Sequence, residues 1–405
     1  MPTDLAGLLA VHPSLRLAAP EDNVRILGFF ERAPMSTSAF DVFYLRRPDF
    51  FRLLRLQSDR AFVVLDLDER GEVRGIGTIS LRPGWADGRP TTIGYLGDLR
   101  IARGRTASRV WRAFFADLVS QAPGIREFAD CTHWHTVILD GNLEARTALR
   151  PRAGRPTLVP IGPFTMRNLI MRLPLAGRHR AIGGWKISAA GPGHEGALQA
   201  FFEAENRQAH LGFRGEMARR ISLWDGFSIG DFVHASDAQG IVACVAPWSP
   251  AVAKQTVVSR MPAGLRLLGL AAKAFPKPPL RVPARGERLR SPYLTHLTFA
   301  GRLTPDERAD VFRAMVDFLF DRWRGADWHC ISFCDFHAWN LGRALKGYVQ
   351  QTVPLTVYAI LSPVHSPVLS PIHSSVHSPI LSPCLSSESE ATGFATPPAF
   401  EMAMV

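Results

Sequence analysis

Lysine is scarce in this sequence of 405 residues: five of its 47 basic residues are lysines, and the others are arginines. Long apolar runs are missing too, since no stretch approaches the roughly 20 consecutive apolar residues of a membrane-spanning helix. The first residues, MPTDLAGLLAVHPSLRL, lack the basic start and cleavage site of a signal peptide. We therefore expect a cytoplasmic protein that does not bind membranes. Its five cysteines are odd in number and widely spread, which favours reduced thiols.

The formal net charge of +11 could serve to neutralise the phosphates of a nucleic acid. The arginines are scattered along the chain, however, and such an excess of arginine over lysine is also what a GC-rich coding sequence gives. This distribution disfavours a dedicated nucleic-acid binder. A hydrophobic content of 46% with 20% charged residues is typical of a soluble globular protein, and the length favours two or three domains.

The spacing of apolar residues predicts the same order of elements twice. The first series comprises helical segments before residue 60, a hairpin over 60–83, a strand at 93–101, a helix at 106–119, a strand at 133–139, a short helix at 142–149 and two strands near 157–172. The second begins with a strand at 185–190 and ends with a strand at 329–336. This order predicts an α/β fold in two tandem copies, over 14–175 and 183–360, each with helices against a mixed, mostly antiparallel sheet.

The composition changes abruptly near Ile360. Residues 361–405 repeat short Ser-Pro pairs with histidines and contain no lysine or arginine. Such a segment buries too little apolar surface to offset its ordering entropy, so we expect a disordered tail. A shifted reading frame would produce the same break, and resequencing the 3′ end of the gene distinguishes the two explanations.

One short stretch, GYLGDLRIARGRTASRVWRAFF at 94–115, combines an apolar strand, a basic turn and a helix. The first turn of a helix presents unpaired N–H groups and the positive end of the helix dipole, which together suit a phosphate. Arg103 and Arg105 would add charge-assisted hydrogen bonds, and small residues at 106–108 would let an anion approach the backbone. The alternative is a solvated basic turn before a core helix.

This stretch resembles the pyrophosphate loop of the GNAT superfamily of N-acetyltransferases, which has the form Arg/Gln-x-x-Gly-x-Gly/Ala. Thr106 and Ser108 stand where the family usually has glycines. Downstream, VILDGNLEARTAL is similar to the family's fifth strand and following helix, with Asn142 and Ala145 at the usual spacing. Leu149 stands where many members have a tyrosine that protonates the departing thiolate. The resemblance covers about residues 20–172.

The resemblance implies a GNAT-like fold and acyl transfer from acetyl-coenzyme A, or another acyl-coenzyme A, to a small-molecule or peptide amine. It assigns the cofactor to Leu99, Arg100 and Ile101 along the pantetheine arm. It further assigns Arg103, Gly104, Arg105, Thr106, Ala107, Ser108 and Asn142 to the cofactor site. The second half resembles the fold more faintly and lacks the arginine-glycine loop, which implies a degenerate copy that shapes the substrate cleft. A catalytically inactive acyl-coenzyme A sensor or scaffold is the alternative function.

Asp98 is the candidate catalytic base, because direct transfer to an amine needs an acceptor for the ammonium proton. It is the carboxylate nearest the expected reacting end of the strand at 93–101. A main-chain N–H at 99–101 would polarise the thioester carbonyl. The alternative for Asp98 is a structural pair with a neighbouring arginine such as Arg100.

Two histidine and cysteine groups raise the question of a metal site. Cys131, His133 and His135 form one, and His329, Cys330, Cys334 and His337 form the other. Zinc ligands in short pairs normally lie in turns that wrap the metal, whereas these residues lie on predicted strands. We therefore expect core packing at both groups and no metal.

Overall fold

A computed structural model describes residues 2–32, 41–102, 104–148, 150, 155–173, 184–260, 263–272, 282–323, 326–362 and 397–401. Its helices are α1 (Leu5–Ala10), α2 (Asn23–Arg32), α3 (Phe50–Gln57), α4 (Arg105–Gln121), α5 (Leu143–Ala148), α6 (Glu195–Gln208), α7 (Glu216–Leu223), α8 (Ala263–Ala272) and α9 (Pro305–Arg322). No helix in this part of the chain is both long and apolar enough to span a bilayer.

The strands follow the same numbering along the chain. They are β1 (Leu15–Leu17), β2 (Asp41–Leu45), β3 (Arg60–Leu67), β4 (Val73–Ala86), β5 (Arg89–Ile101), β6 (Cys131–Leu139), β7 (Thr157–Arg172), β8 (Lys186–Ala189), β9 (Gly212–Phe213), β10 (Val233–Asp237), β11 (Gly240–Trp248), β12 (Gln255–Arg260), β13 (Tyr293–Phe299), β14 (Ile331–Phe336) and β15 (Tyr348–Leu361). We call β1 to β7 and their helices the first half, and β8 to β15 and theirs the second half.

One large mixed sheet runs through both halves. Its strand order is β1-β3-β4-β5-β6-β15-β7-β14-β13-β11-β10-β8, and β9 pairs with β4 beside this path. The pairs β5–β6 and β13–β14 are parallel and the other pairs are antiparallel. The predicted fold class, a mostly antiparallel sheet with flanking helices, is confirmed.

The helices pack on the sheet through the faces that the sequence indicates. In α4, Trp111, Phe114 and Leu118 recur at helical spacing and are at most 6% exposed. In α9, Val311, Met315 and Leu319 are similarly buried. Each helix therefore covers its own half of the sheet with one apolar face.

The last strands of the two halves are exchanged. β15, from the second half, lies between β6 and β7 of the first half and pairs with both. β7 in turn pairs with β14 of the second half. The prediction of two strands near 157–172 is wrong, because this segment forms the single long strand β7, which pairs with β15 along one edge and with β14 along the other.

A second, two-stranded sheet also joins the halves. It consists of β2 and β12 in antiparallel register, with Leu45 opposite Gln255. The predicted domain boundaries at 175 and 183 fall within residues 174–183, which lie outside the described part. The sheet itself is continuous across the two halves, so their cores are coupled through β7, β14 and β15.

A buried ion pair marks the exchange and gives a test of this coupling. Arg167 on β7 donates from Nε to Asp335 Oδ2 on β14 at 2.7 Å, and the main-chain N–H groups of Leu341 and Gly342 donate to the same carboxylate at 2.8 and 2.9 Å. We expect Asp335→Ala to lower the free energy of unfolding by about 3–5 kcal/mol, because it leaves the Arg167 charge unpaired. Urea denaturation followed by tryptophan fluorescence measures this loss.

The matched control is Asp130→Ala, since the Asp130–Arg60 pair has a similar length of 2.8 Å but its carboxylate side chain is 57% exposed. Its removal should cost less than about 1 kcal/mol. Equal losses of stability in the two variants would contradict the coupling of the two halves. So would an unfolding curve of Asp335→Ala with two transitions, of which only one is shifted to lower urea concentration.

Candidate active site

The centre of the first half is a β-bulge in β5. Thr78 on β4 lies opposite Gly97, whereas Ile76 lies opposite Arg100, so β5 has one residue more than β4 over this interval. Asp98 takes up the extra length with φ of 49°. This left-handed conformation is uncommon for residues other than glycine and is tolerated best by asparagine and aspartate.

The bulge lies where β5 and β6 separate. Their paired residues run from Thr92 with Cys131 to Tyr95 with His135, although β5 continues to Ile101 and β6 to Leu139. Beyond Tyr95, β6 keeps its partner β15 and therefore stays in the sheet. The two strands thus enclose a cleft that opens beside Asp98.

The second half repeats this geometry. Ala246 on β11 lies opposite Thr295 and Cys244 opposite Thr298, and His296 occupies the bulge with φ of 54°. Tyr293 is paired with Ser332 of β14 before those strands separate. The sequences YLGDLRI (95–101) and YLTHLTF (293–299) correspond residue by residue, which supports an origin by tandem duplication.

The start of α4 follows the end of β5, the strand that contains the first bulge. Gly104 is its N-cap residue, with φ of 158° and ψ of 146°, and no side chain caps the helix. The first turn contains no acidic residue, and Gly104, Arg105 and Thr106 are exposed. Ala107 faces the core, and Ser108 donates from its hydroxyl to the Gly104 carbonyl at 3.1 Å. This helix start can therefore accept an anion from solvent.

The start of α9, at the same position in the second half, is closed by its own side chains. Thr304 accepts the Glu307 main-chain N–H at 3.3 Å, and Glu307 accepts the Thr304 N–H at 2.9 Å. Asp306 adds a second acidic side chain to this first turn. Two carboxylates at a helix start already satisfy the dipole and would repel a phosphate.

The predicted pantetheine residues differ in their surroundings. Leu99 is 57% exposed, which is unusual for a leucine in a strand, whereas Ile101 packs into the core beneath α4. Arg100 stacks on the Phe30 ring at 3.4 Å and donates to the Phe30 carbonyl at 2.8 Å. Burial lowers the pKa of Arg100 to about 10.

Asn142 has a local structural contact. Its Oδ1 accepts the Ala145 main-chain N–H at 3.0 Å and so caps α5, a helix without buried residues. Arg103 and Leu149 lie outside the described residues.

Asp98 is held by an arginine that the sequence did not indicate. Arg46 donates from Nη2 to both carboxylate oxygens, at 2.8 and 3.1 Å, and its side chain is only 3% exposed. Arg46 follows β2 in the chain, and the β2–β12 pairing brings Lys254 to the same region. Arg46, Asp98 and Lys254 therefore form a charged cluster contributed by both halves.

Lys254 is buried between two tyrosine rings, with Nζ 5.1 Å from the centre of Tyr44 and 5.8 Å from that of Tyr293. Burial, reinforced by the Arg46 charge, lowers the pKa of Lys254 to about 7, while the Asp98 carboxylate opposes this shift. The cluster therefore contains a group that changes charge near neutral pH. No local motif in the sequence marks Lys254 or Arg46. The scarcity of lysine distinguishes Lys254, whereas Arg46 is one of many arginines.

The prediction of core packing at the two histidine and cysteine groups holds for part of each group. His133 is half-buried and His337 is exposed, whereas the other members are buried: Cys131, His135, His329, Cys330 and Cys334. His135 Nδ1 lies 2.8 Å from the Gly94 carbonyl, and His329 Nδ1 accepts the Arg290 main-chain N–H at 2.8 Å. Cys330 lies against the Ser291 hydroxyl at 3.3 Å. Across the described ranges no group of three or more potential ligands is placed to hold a metal ion, and the four cysteines there are free thiols.

The sequence matches no protein-family model and no curated protein, but the structure is similar to solved structures. One is the GCN5-related glucosamine N-acetyltransferase region of a fungal multi-domain GH3 β-N-acetylglucosaminidase, with a TM-score of 0.55 and 11% identity over 86% of this chain. This chain spans 38% of that protein's length.

Another is Saccharomyces cerevisiae N-myristoyltransferase with bound myristoyl-CoA, with a TM-score of 0.50 and 11% identity over 85% of this chain and 82% of that one. A further structure of the yeast enzyme with myristoyl-CoA gives 0.50 at 10% identity, over 86% and 79% of the respective chains. At such identities the likeness concerns the fold. The chain therefore has the same type of fold as this GCN5-related N-acetyltransferase region and the yeast N-myristoyltransferase.

Proposed function

We propose that this protein is an acyltransferase that moves an acyl group from acyl-coenzyme A to an amine, with the coenzyme bound by the first half. The observation that carries the proposal is the uncapped, acid-free start of α4 beside the cleft between β5 and β6. The same position in the second half carries Asp306 and Glu307. The two solved relatives above are described as an N-acetyltransferase region and an N-myristoyltransferase, which supports an acyl donor.

The coenzyme pyrophosphate would lie at the start of α4, where Gly104 permits close approach of the backbone and Arg105 adds charge. Arg103, Thr106, Ala107 and Ser108 complete the proposed phosphate site. The pantetheine arm would follow Leu99, Arg100 and Ile101 along the open edge of β5. Asn142, which caps α5, would contribute at the far side of the cleft.

A main-chain N–H at the bulge, either at 99–101 as the sequence indicates or at Asp98 itself, would polarise the thioester carbonyl. Support comes from the second half, where the N–H of His296 at the corresponding bulge position donates to a carboxylate oxygen of Glu401 at 2.7 Å. A bulge N–H in this fold can therefore point away from the sheet ladder toward a ligand in the cleft. Donors placed at a developing oxyanion typically contribute about 10²-fold or more in rate.

Asp98 would accept the proton of the attacking amine, directly or through water. Arg46 fixes its carboxylate on the bulge, beside the proposed carbonyl donor. Lys254 would act on the charge of the site: when protonated it repels a cationic acceptor, and when neutral it leaves Arg46 and Asp98 as a balanced pair. The acceptor is a small-molecule or peptide amine, and the donor is acetyl-coenzyme A or a longer acyl-coenzyme A.

The first prediction from this proposal concerns affinity for the coenzyme. Replacing Arg103 and Arg105 by alanine should weaken coenzyme A binding by about 1.5–3 kcal/mol for each charged hydrogen bond lost. Isothermal titration calorimetry measures the affinity. Arg302→Ala, which removes an arginine just before α9, is the matched control and should leave it unchanged. If the variant without Arg103 and Arg105 and the Arg302→Ala variant lost affinity for coenzyme A equally, or if neither lost any, the coenzyme site would not lie at α4.

The second prediction concerns pH. With acetyl-coenzyme A and an amine identified from a panel by thiol release, we expect the rate to rise with pH through about 7, as Lys254 loses its proton. Lys254→Met carries no charge at any pH and should remove this inflection while keeping activity below pH 7. Asp98→Asn removes the charge that supports protonated Lys254, so it should shift the inflection to lower pH.

Asp98→Asn should also reduce turnover by about 10²-fold or more if the carboxylate is the base. Asp306→Asn, a change of the same kind at a carboxylate whose side chain is 91% exposed, is the control. Wild-type turnover in Asp98→Asn would exclude Asp98 as the base, and an inflection that persists in Lys254→Met would exclude Lys254 as its origin. Coenzyme binding without thiol release for any amine would favour an acyl-coenzyme A sensor.

A further inference from the structure

The segment Pro397–Glu401, which the sequence assigns to the tail, lies against both halves. Phe400 is 8% exposed, and its ring centre is 5.5 Å from that of Phe164 on β7. The Ala399 main-chain N–H donates to the His210 carbonyl at 3.0 Å. Residues 363–396 and 402–405 lie outside the described part, but these five residues pack into the interior.

The carboxylate of Glu401 lies at the bulge of the second half. Its Oε1 accepts the His296 main-chain N–H at 2.7 Å, and its Oε2 accepts an N–H from Arg220 Nη1 at 2.8 Å. The Arg220 side chain is 2% exposed. A buried main-chain donor and a buried guanidinium thus converge on one carboxylate.

The position of Arg220 is also fixed by contacts that do not involve the tail. Its Nε donates to Glu216 at 3.1 Å, and its guanidinium lies over the rings of Phe213 and Trp224 at 4.6 and 4.9 Å. Its Nη1 lies 3.4 Å from His296 Nε2. Burial holds the pKa of His296 well below its ordinary value, so the neutral ring accepts this bond. The donor is thus positioned before a carboxylate arrives.

The surrounding charges favour an anionic ligand. Arg219 pairs with Asp59 at 2.7 Å and with Glu216 at 3.3 Å, and Glu216 also pairs with Arg220. Arg82 donates to the carbonyls of a neighbouring loop, and burial lowers its pKa to about 10. The described side chains around Glu401 thus include three arginines and two other carboxylates: Arg82, Arg219, Arg220, Asp59 and Glu216. The carboxylate of a ligand balances the third positive charge.

We propose that the cleft between β13 and β14 is a binding site for an acidic peptide segment, and that residues 397–401 are its intramolecular ligand. Arg220 and the His296 N–H recognise the carboxylate, and the apolar wall that holds Phe400 recognises an aromatic residue before it. A cavity of about 110 Å³ remains beside the segment, between β13, β14 and α6. This proposal does not depend on acyl transfer by the first half.

The site explains how the second half can keep the bulge and the open strands without a phosphate site. The carboxylate of Glu401 uses the bulge N–H that, in the first half, we assign to the acyl carbonyl. The Glu307 and Asp306 carboxylates at α9 then exclude a coenzyme, while the cleft retains a peptide. The two halves would thus use one backbone feature for two ligand classes.

The test uses the full chain and a fluorescein-labelled, C-terminally amidated peptide, Pro-Pro-Ala-Phe-Glu, followed by fluorescence anisotropy. In Glu401→Gln the chain's own segment competes less well, so the peptide should bind at least about tenfold more tightly than to the wild-type chain. Glu390→Gln, the same change earlier in the tail, is the control and should bind the peptide as the wild type does.

A second peptide keeps the test decisive if Glu401→Gln does not fold. The peptide Pro-Pro-Ala-Phe-Gln should bind the wild-type chain at least about tenfold more weakly than the glutamate peptide, because it lacks the charged acceptor. Equal binding of the two peptides would overturn carboxylate recognition. Equal affinity of the glutamate peptide for folded Glu401→Gln and wild-type chains would overturn occupation of the site by the tail.

Discussion

The β-bulge in the central strand of each half is the constraint on which the rest of the structure depends. One extra residue, Asp98 in β5 and His296 in β13, is accommodated by a left-handed backbone conformation. The parallel pairing to the next strand ends at Tyr95 in the first half and at Tyr293 in the second, a short distance before each bulge. A regular ladder would use its main-chain N–H groups within the sheet, so a cleft lined by available donors requires this local departure from regular pairing.

The same backbone feature acquires different chemistry from the residues around it. In the first half the bulge leads into a helix start with Gly104 and Arg105 and without acidic side chains. In the second half it leads into the capping box of Thr304 and Glu307, and its N–H is engaged by Glu401. The strands alone therefore do not determine the ligand. In our proposals the residues of the following helix turn do so, because they set the charge that a ligand meets.

Local patterns predicted many of the elements, although not the single long strand β7, and they did not predict which strands would be neighbours. The buried face of α4, with Trp111 and Phe114, follows from helical spacing, and the absence of acidic residues from its first turn can be read directly from the sequence. The position of β15 between β6 and β7 does not follow from any local pattern, since an apolar strand carries little information about its partner. For the same reason the sequence indicated Asp98 but not Arg46, whose proximity depends on where β2 is placed.

Several buried charges lie where the two halves meet, and this is informative because desolvating a charge is unfavourable. Arg46 and Lys254 lie at one side of the interface, and Arg82 and Arg220 at the other. A core selected for stability alone would have apolar residues at these positions, because the desolvation penalty of a buried ion pair often exceeds the electrostatic attraction between its charges. Polar groups retained at such expense are instead typical of sites that bind or react. The exchange of β7 and β15 makes their retention feasible, because it ties both halves into one sheet whose buried apolar surface offsets the cost. The sheet and the charged clusters are therefore two parts of one arrangement, because the apolar surface buried by the sheet offsets the desolvation penalty of the clusters.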